Sequence, residues 1–241
     1  EDGKDHNWII ATYSYEFLPV QLNSILYGTL TSLHQYYSSL TWGNNTEKAA
    51  LYSSLSKQML VDFQKTFWCT TEKWTGFRDY SLLKGKEGHI LFGDLSAEIF
   101  PLFFKLATPE QAEKTKNNLA TYYKGDIGLS STSLELRKEG SIPLEPVGPW
   151  KFQWEYPNCW PPLMMIAVEG LKNYGFVKEA LEYERNWITH VEKEFEIMGG
   201  FAEKYPFSTE TKIEPGYYGN MKGFGWTIAT YLWFMKDLTR V

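Results

Sequence analysis

Two cysteines in 241 residues, Cys69 and Cys159, are too few for a disulfide framework or a cysteine-built metal cage. The four histidines, His6, His34, His89 and His190, are scattered and none stands at an HExxH or other ligand spacing. No metal and no cofactor is therefore expected. GxSxG, Walker and GxGxxG motifs are absent. No uncharged apolar run of ~18 residues occurs, so nothing in the sequence reads as a membrane span. The opening EDGKDHNWII has no basic stretch followed by an apolar one, and no signal peptide is expected in it. A basic excess is missing too: 24 Lys+Arg face 29 Asp+Glu, a formal charge of -5 without long runs. Nucleic-acid surfaces need a basic stripe, so nucleic acid is excluded as a partner.

What is present is a core and many rings. Hydrophobic residues make up 43%, which excludes a disordered chain, and 10 Trp, 16 Tyr and 15 Phe bring the aromatic share to 17%. Buried rings are the ordinary explanation; a carbohydrate cleft is the sharper one, because flat rings stack on the apolar faces of sugars.

The dominant period is helical. Seven helices are expected: Pro19–Leu40, with Val20, Ile25, Leu26, Leu30, Leu33 and Tyr37 inward; Thr46–Phe67, capped by Thr46; Leu95–Leu106, bent by Pro101; Pro109 to about Tyr123; Leu163–Tyr174; Phe176–Met198; and Phe224–Leu238. Thr108-Pro109-Glu110-Gln111 carries a cap hydroxyl, a Pro at the first helical position and a capping-box Gln. Gly199-Gly200 stops the sixth helix. Lys178, Glu179, Glu182, Glu184 and Arg185 read as its solvated face. No βαβ alternation is visible, so the class is all-α. Three long segments rich in Gly, Pro and aromatics interrupt the helices, over 69–94, 125–162 and 199–223. Long structured loops in a helical domain usually carry function.

Three loop motifs stand out. Gln153-Trp154-Glu155-Tyr156-Pro157-Asn158-Cys159-Trp160-Pro161-Pro162 sets a carboxylate between two Trp in a proline-stiffened segment. Such indoles are more often structural plugs than ligand contacts. Phe201-Ala202-Glu203-Lys204-Tyr205 follows the Gly-Gly stop, so Glu203 sits on a loop where Phe201, Tyr205 and Phe207 can desolvate it; by residue type alone a solvated, idle Glu is the commoner case. Gly223-Phe224-Gly225-Trp226 opens the last helix and has no catalytic meaning by itself. Cys159 beside Trp160 reads as a buried, inert thiol. Asn44-Asn45-Thr46 is a glycosylation sequon, pointing to a secreted or lumenal setting.

In their order and spacing, with twenty residues from Glu203 to Gly223, these motifs resemble the second half of the trehalase family of inverting glycosidases, whose pattern is QWD-x-P-x-GW-x-P, then EKY, then GFGW. The run Phe17-Leu18-Pro19-Val20-Gln21-Leu22-Asn23 is similar to the family's PVDLN helix start. Phe67-Trp68 through Trp74, Gly76, Phe77, Asp79 and Tyr80 is similar to its aromatic-and-DYD segment. The resemblance implies an (α/α)6 toroid with helices in two concentric rings. Residues 1–241 would be the C-terminal part of that single catalytic domain, completed by a complementary N-terminal half or partner chain. It further implies hydrolysis of an α-linked disaccharide such as trehalose, with Glu203 as the general base and Gln153, Trp154, Glu155, Trp160, Tyr205 and Phe224 at the substrate. The family's general acid would lie just upstream of Glu1, and neither Asp2 nor Asp5 takes its place. Glu155 stands where the family has Asp, Tyr217 where it has an acid (Glu214 is near but out of register), and 209–215 where it has a glycine run. Those departures define the alternative, a catalytically inactive trehalase-like subunit with a structural or sugar-binding role. They also suggest a related glycosidase of altered specificity.

Overall fold

A computed structural model describes residues 17–72, 74–82, 87–90, 93–139, 154–214 and 219–239. Gln153, Asp2, Asp5, His6 and Tyr217 lie outside the described residues. Helix α1 covers Val20–Ser38, starting one residue past Pro19, whose fixed φ suits the entry to a helix. Helix α2 covers Thr46–Phe67; its cap is Asn45, whose side chain accepts from the Lys48 amide, and not Thr46. Helix α3 (Leu95–Phe103) is capped by Asp94 and ends earlier than Leu106, with Lys105 in the left-handed region. Helix α4 (Pro109–Asn118) opens with the expected capping box, and its continuation Leu119–Tyr123 is a π turn rather than α. A short helix, α5 (Leu134–Glu139), lies inside the segment read as loop; six residues are too few for a period to register. Helices α6 (Pro161–Asn173), α7 (Val177–Met198) and α8 (Gly225–Leu238) complete the set.

Among the described residues there are thus eight α-helices and seven short strands. The strands are β1 (Phe17–Leu18), β2 (Trp68–Thr70), β3 (Thr75–Phe77), β4 (Asp79–Ser81), β5 (Gly88–Ile90), β6 (Asn158–Cys159) and β7 (Tyr205–Pro206). They form an antiparallel β1-β4-β5 sheet and the pairs β2-β3 and β6-β7. All are clips inside the long connections, and the core remains helical.

The helices make two layers. In one, α1 packs on α3, α3 on α6 and α6 on α8; in the other, α2 lies on α1, α4 on α3 and α7 on α6 and α8. The first layer is the more apolar of the two. Each first-layer helix except the last turns into its second-layer partner through a short link, 39–45, 104–108 or 174–176. The long connections therefore gather at the opposite end, where α1, α3, α6 and α8 begin. Hydrogen bonds tie those starts together. Asp79 Oδ1 accepts from the Val20 amide at 2.7 Å, the Leu95 amide donates to Ser131 O, and the Ser131 amide donates to Asn158 O. Asn158 and Cys159 then pair with Pro206 and Tyr205.

Two helix faces differ from the sequence pattern. On α1 the buried residues are Val20, Ser24 and Gly28, while Ile25 and Leu26 are exposed. The contact is made by small residues because the Phe104 ring approaches within 2.2 Å of where a Gly28 Cβ would stand. On α7, Glu184 is buried, not solvated: the Lys172 ammonium lies 2.5 Å from its Oε1 and 2.5 Å from Asp237 Oδ2. Glu169 completes a cluster of three carboxylates, and Lys172 is the cation among them.

Candidate active site

The end of the bundle where the long connections meet contains both the 154–160 loop and the segment after the α7 stop. Gly199 takes φ 69° at the helix end, a left-handed conformation that glycine adopts freely. The chain then enters a tight pocket of backbone bonds. Ala202 bridges to Lys222, the Glu203 amide donates to Met221 O at 2.8 Å, and Asn220 exchanges hydrogen bonds with the Lys204 backbone on both sides. From the start of α8, Trp226 Nε1 donates to Glu203 O at 2.8 Å and Thr227 Oγ1 donates to Ala202 O. The GFGW motif thus grips the EKY motif directly.

Glu203 is not the solvated carboxylate of the ordinary case: it is 1% exposed. Its neighbour Lys204 is 0% exposed, with Nζ 3.3 Å from Glu203 Oε2 and 5.1 Å from the Trp160 ring centroid. The ammonium therefore offsets the lost hydration of the carboxylate, and the indole face that of the ammonium. Sequence reasoning singled out Glu203 and passed over Lys204, although the signal, a Lys inside the same motif, was present.

The aromatic expectations divide into an exposed and a buried group. Trp154 and Trp160 stack with ring centroids 3.8 Å apart and planes 8° from parallel, and Trp226 meets both edge-on. Trp160 is 1% exposed and works as a plug beneath Trp154, which is 39% exposed. Phe224, half-buried, packs on Trp226 at 4.4 Å. Tyr205 is buried; its hydroxyl accepts from the Ala202 amide at 3.0 Å and its ring meets Trp187. Phe201 packs on Phe195 and Tyr231, and Phe207 on Tyr156. Glu155 is half-buried on the loop, and its carbonyl accepts from the Asn158 amide. The Cys159 thiol is buried and pushed up to about 12 by that burial, which makes it inert as a nucleophile near neutral pH. Asn44 lies exposed in the turn between α1 and α2.

An acidic group sits at the same end of the bundle. Asp79, Asp94 and Glu98 line a small cavity with Arg78, Trp74 and Tyr123, and Arg78 stacks 3.4 Å over the Trp74 ring. Burial pushes Asp79 up to about 7 against the Val20 amide bond, and Glu98 up to about 8 against Asn118 and Arg78.

The sequence that builds this arrangement matches the trehalase family model over residues 1–239, nearly the whole chain. The chain belongs to the trehalase family. It is 30% identical over 211 residues to the periplasmic trehalase of Escherichia coli (strain K12 / DH10B), covering 87% of this chain and 34% of that protein. Neutral trehalase Nth1 from Saccharomyces cerevisiae aligns with a TM-score of 0.71 over 92% of this chain and 38% of that one, at 23% identity. The GH63 mannosylglycerate hydrolase from Thermus thermophilus, in complex with Tris and D-glycerate, aligns with a TM-score of 0.63 over 95% and 50%, at 17% identity. The fold is accordingly that of the (α/α)6 toroids, with α1, α3, α6 and α8 in the inner ring and α2, α4 and α7 in the outer one. The chain spans about a third of the length of the curated trehalases it matches.

Proposed function

We propose that this chain carries the general base and part of the sugar-binding floor of a trehalase-like glycosidase. The enzyme hydrolyses the α,α-glucosidic bond of trehalose with inversion, in a site completed by an N-terminal half or partner chain beyond these residues. The observation that carries the reading is Glu203, a carboxylate 1% exposed at the loop end of the inner ring, charge-compensated by Lys204 and fixed through both its backbone N–H and C=O.

Inversion requires a base that activates water on the face of the sugar opposite the leaving group. A separate acid, with its carboxyl ~6.5–9.5 Å from the base, protonates the glycosidic oxygen. Glu203 takes the proton from that water. The acid is contributed by the segment that completes the site. Trp154, with its exposed ring face, stacks on a sugar ring, and Phe224 and Glu155 border it. Trp160 and Tyr205 act one layer down, the first beneath Trp154 and the second bonded to the Ala202 amide next to the base.

Inversion of one α,α-linked disaccharide yields one β- and one α-glucose, because only the attacked anomeric carbon changes configuration. Proton NMR of the first products, before mutarotation, is expected to show the two anomers in equal amounts. Release of α-glucose alone contradicts inversion. A panel of α-linked disaccharides in which trehalose is the poor substrate contradicts the assigned specificity.

A further inference from the structure

We infer that Asn158 is a positioning residue for the proposed base, acting through a two-point clamp on the backbone of Glu214; the inference rests on the trehalase-like reading of the site. The Asn158 side chain is 0% exposed. Its Oδ1 accepts from the Glu214 amide at 2.8 Å and its Nδ2 donates to Glu214 O at 2.9 Å. A side-chain amide thus makes with one residue the reciprocal pair of bonds that a strand makes with its neighbour.

The clamp is itself held on every side. The Asn158 amide donates to Glu155 O, and its carbonyl accepts from the Ser131 amide at 2.9 Å and the Ser131 hydroxyl at 3.0 Å. Asn158 also faces Pro206 across the β6-β7 pair. The segment it secures leaves the EKY motif at β7 and returns at 219–222 to pair with Ala202, Glu203 and Lys204. Between those points the segment is also tethered at Asp126, which accepts from the Thr209 amide and hydroxyl. Here the sequence also departs from the family's glycine run. The clamp therefore ties the 154–160 loop to the segment that runs on from the EKY motif, and the β6-β7 pair joins the same two segments beside it. Loosening it lets the EKY segment shift against the 154–160 loop, and a misplacement of about 1 Å can cost about 10²-fold in rate.

The test compares the full-length wild-type protein with N158D and N158S by amide hydrogen exchange over residues 208–214 and by kcat and KM for trehalose, per mole of folded protein. Asp keeps the shape but, ionised, cannot donate to Glu214 O; Ser shortens the reach without burying a charge. The expected result is exchange at the Glu214 amide faster by about tenfold in N158S, which loses the acceptor, and less changed in N158D, which keeps it. With it, kcat falls by about 10²-fold with KM moved far less, and N158D recovers turnover as the pH is lowered and its carboxyl regains a proton to donate. Unchanged exchange at Glu214 in N158S overturns the clamp. Faster exchange with unchanged kcat, or a rate lost only in proportion to folded protein, overturns the positioning role. A wild type that releases no glucose defeats the trehalase reading and the positioning role with it, while the exchange readout still decides whether the clamp exists.

Discussion

A carboxylate and an ammonium adjacent in sequence, both removed from water, form the centre of the proposed site. Breaking a buried ion pair by removing one partner is far more costly than replacing both, because the survivor is left uncompensated. Lys204→Met is therefore expected to destabilise the protein by about 3–5 kcal/mol, read from urea unfolding. A loss below about 1 kcal/mol contradicts the pairing. At this scale the sequence was informative for Glu203, since a Gly-Gly stop places it off the helix face; Lys204 was overlooked inside the same motif, and Glu184 carried no signal. Lys and Glu are rarely buried, and what buries Glu184 is Lys172, a residue on a different helix. Periodicity within one helix cannot see a partner on another.

Elements were legible where the local code is strong and illegible where tertiary contact decides. The capping box at Thr108 and the stop at Gly199 appear as expected. The inward face of α1 was misread because apolar size pointed to Ile25 and Leu26, whereas the close approach of Phe104 selects Ser24 and Gly28. The starts of α1 and α3 also carry a pH dependence. The Asp79 carboxyl accepts from the first amide of α1, and Glu98 lies in the first turn of α3. Their ordinary values are 3.8 and 4.5, raised in the fold to about 7 and about 8 by burial. The native state therefore keeps protons that the unfolded chain releases. This contribution to stability is complete below about pH 4 and is lost as the pH climbs through about 7–8. The unfolding midpoint is expected to fall from pH 5 to pH 8, and to fall less in Asp79→Asn with Glu98→Gln. A midpoint that rises over this range, or an equal slope in the double variant, contradicts the assignment.

At the scale of the whole molecule, seven long helices arranged four and three form an arc of two rings. The family resemblance gave this architecture; composition and periodicity gave only the all-α class. The arc has an apolar flank at α1 and α2. A groove of about 510 Å³ there is lined by Leu26, Leu30, Leu55, Met59, Phe63 and Phe67, with Leu22, Ile25 and Val61 exposed on the same pair of helices. Apolar area of this kind is rarely left open on a stable monomer. Residues 1–241 expressed alone are expected to self-associate, with a light-scattering mass that rises with concentration. A 28.0 kDa monomer that unfolds in one cooperative step contradicts the partial-toroid account. The chemistry assigned to that toroid rests on Glu203. The direct measurement is glucose release from trehalose by the full-length protein, wild type against Glu203→Gln, with folding of both checked by circular dichroism. The account predicts steady turnover in the wild type and a loss of about 10²–10⁴-fold in the variant, which keeps the size of the side chain and loses its ability to take a proton. A folded Glu203→Gln protein that releases glucose at the wild-type rate contradicts it.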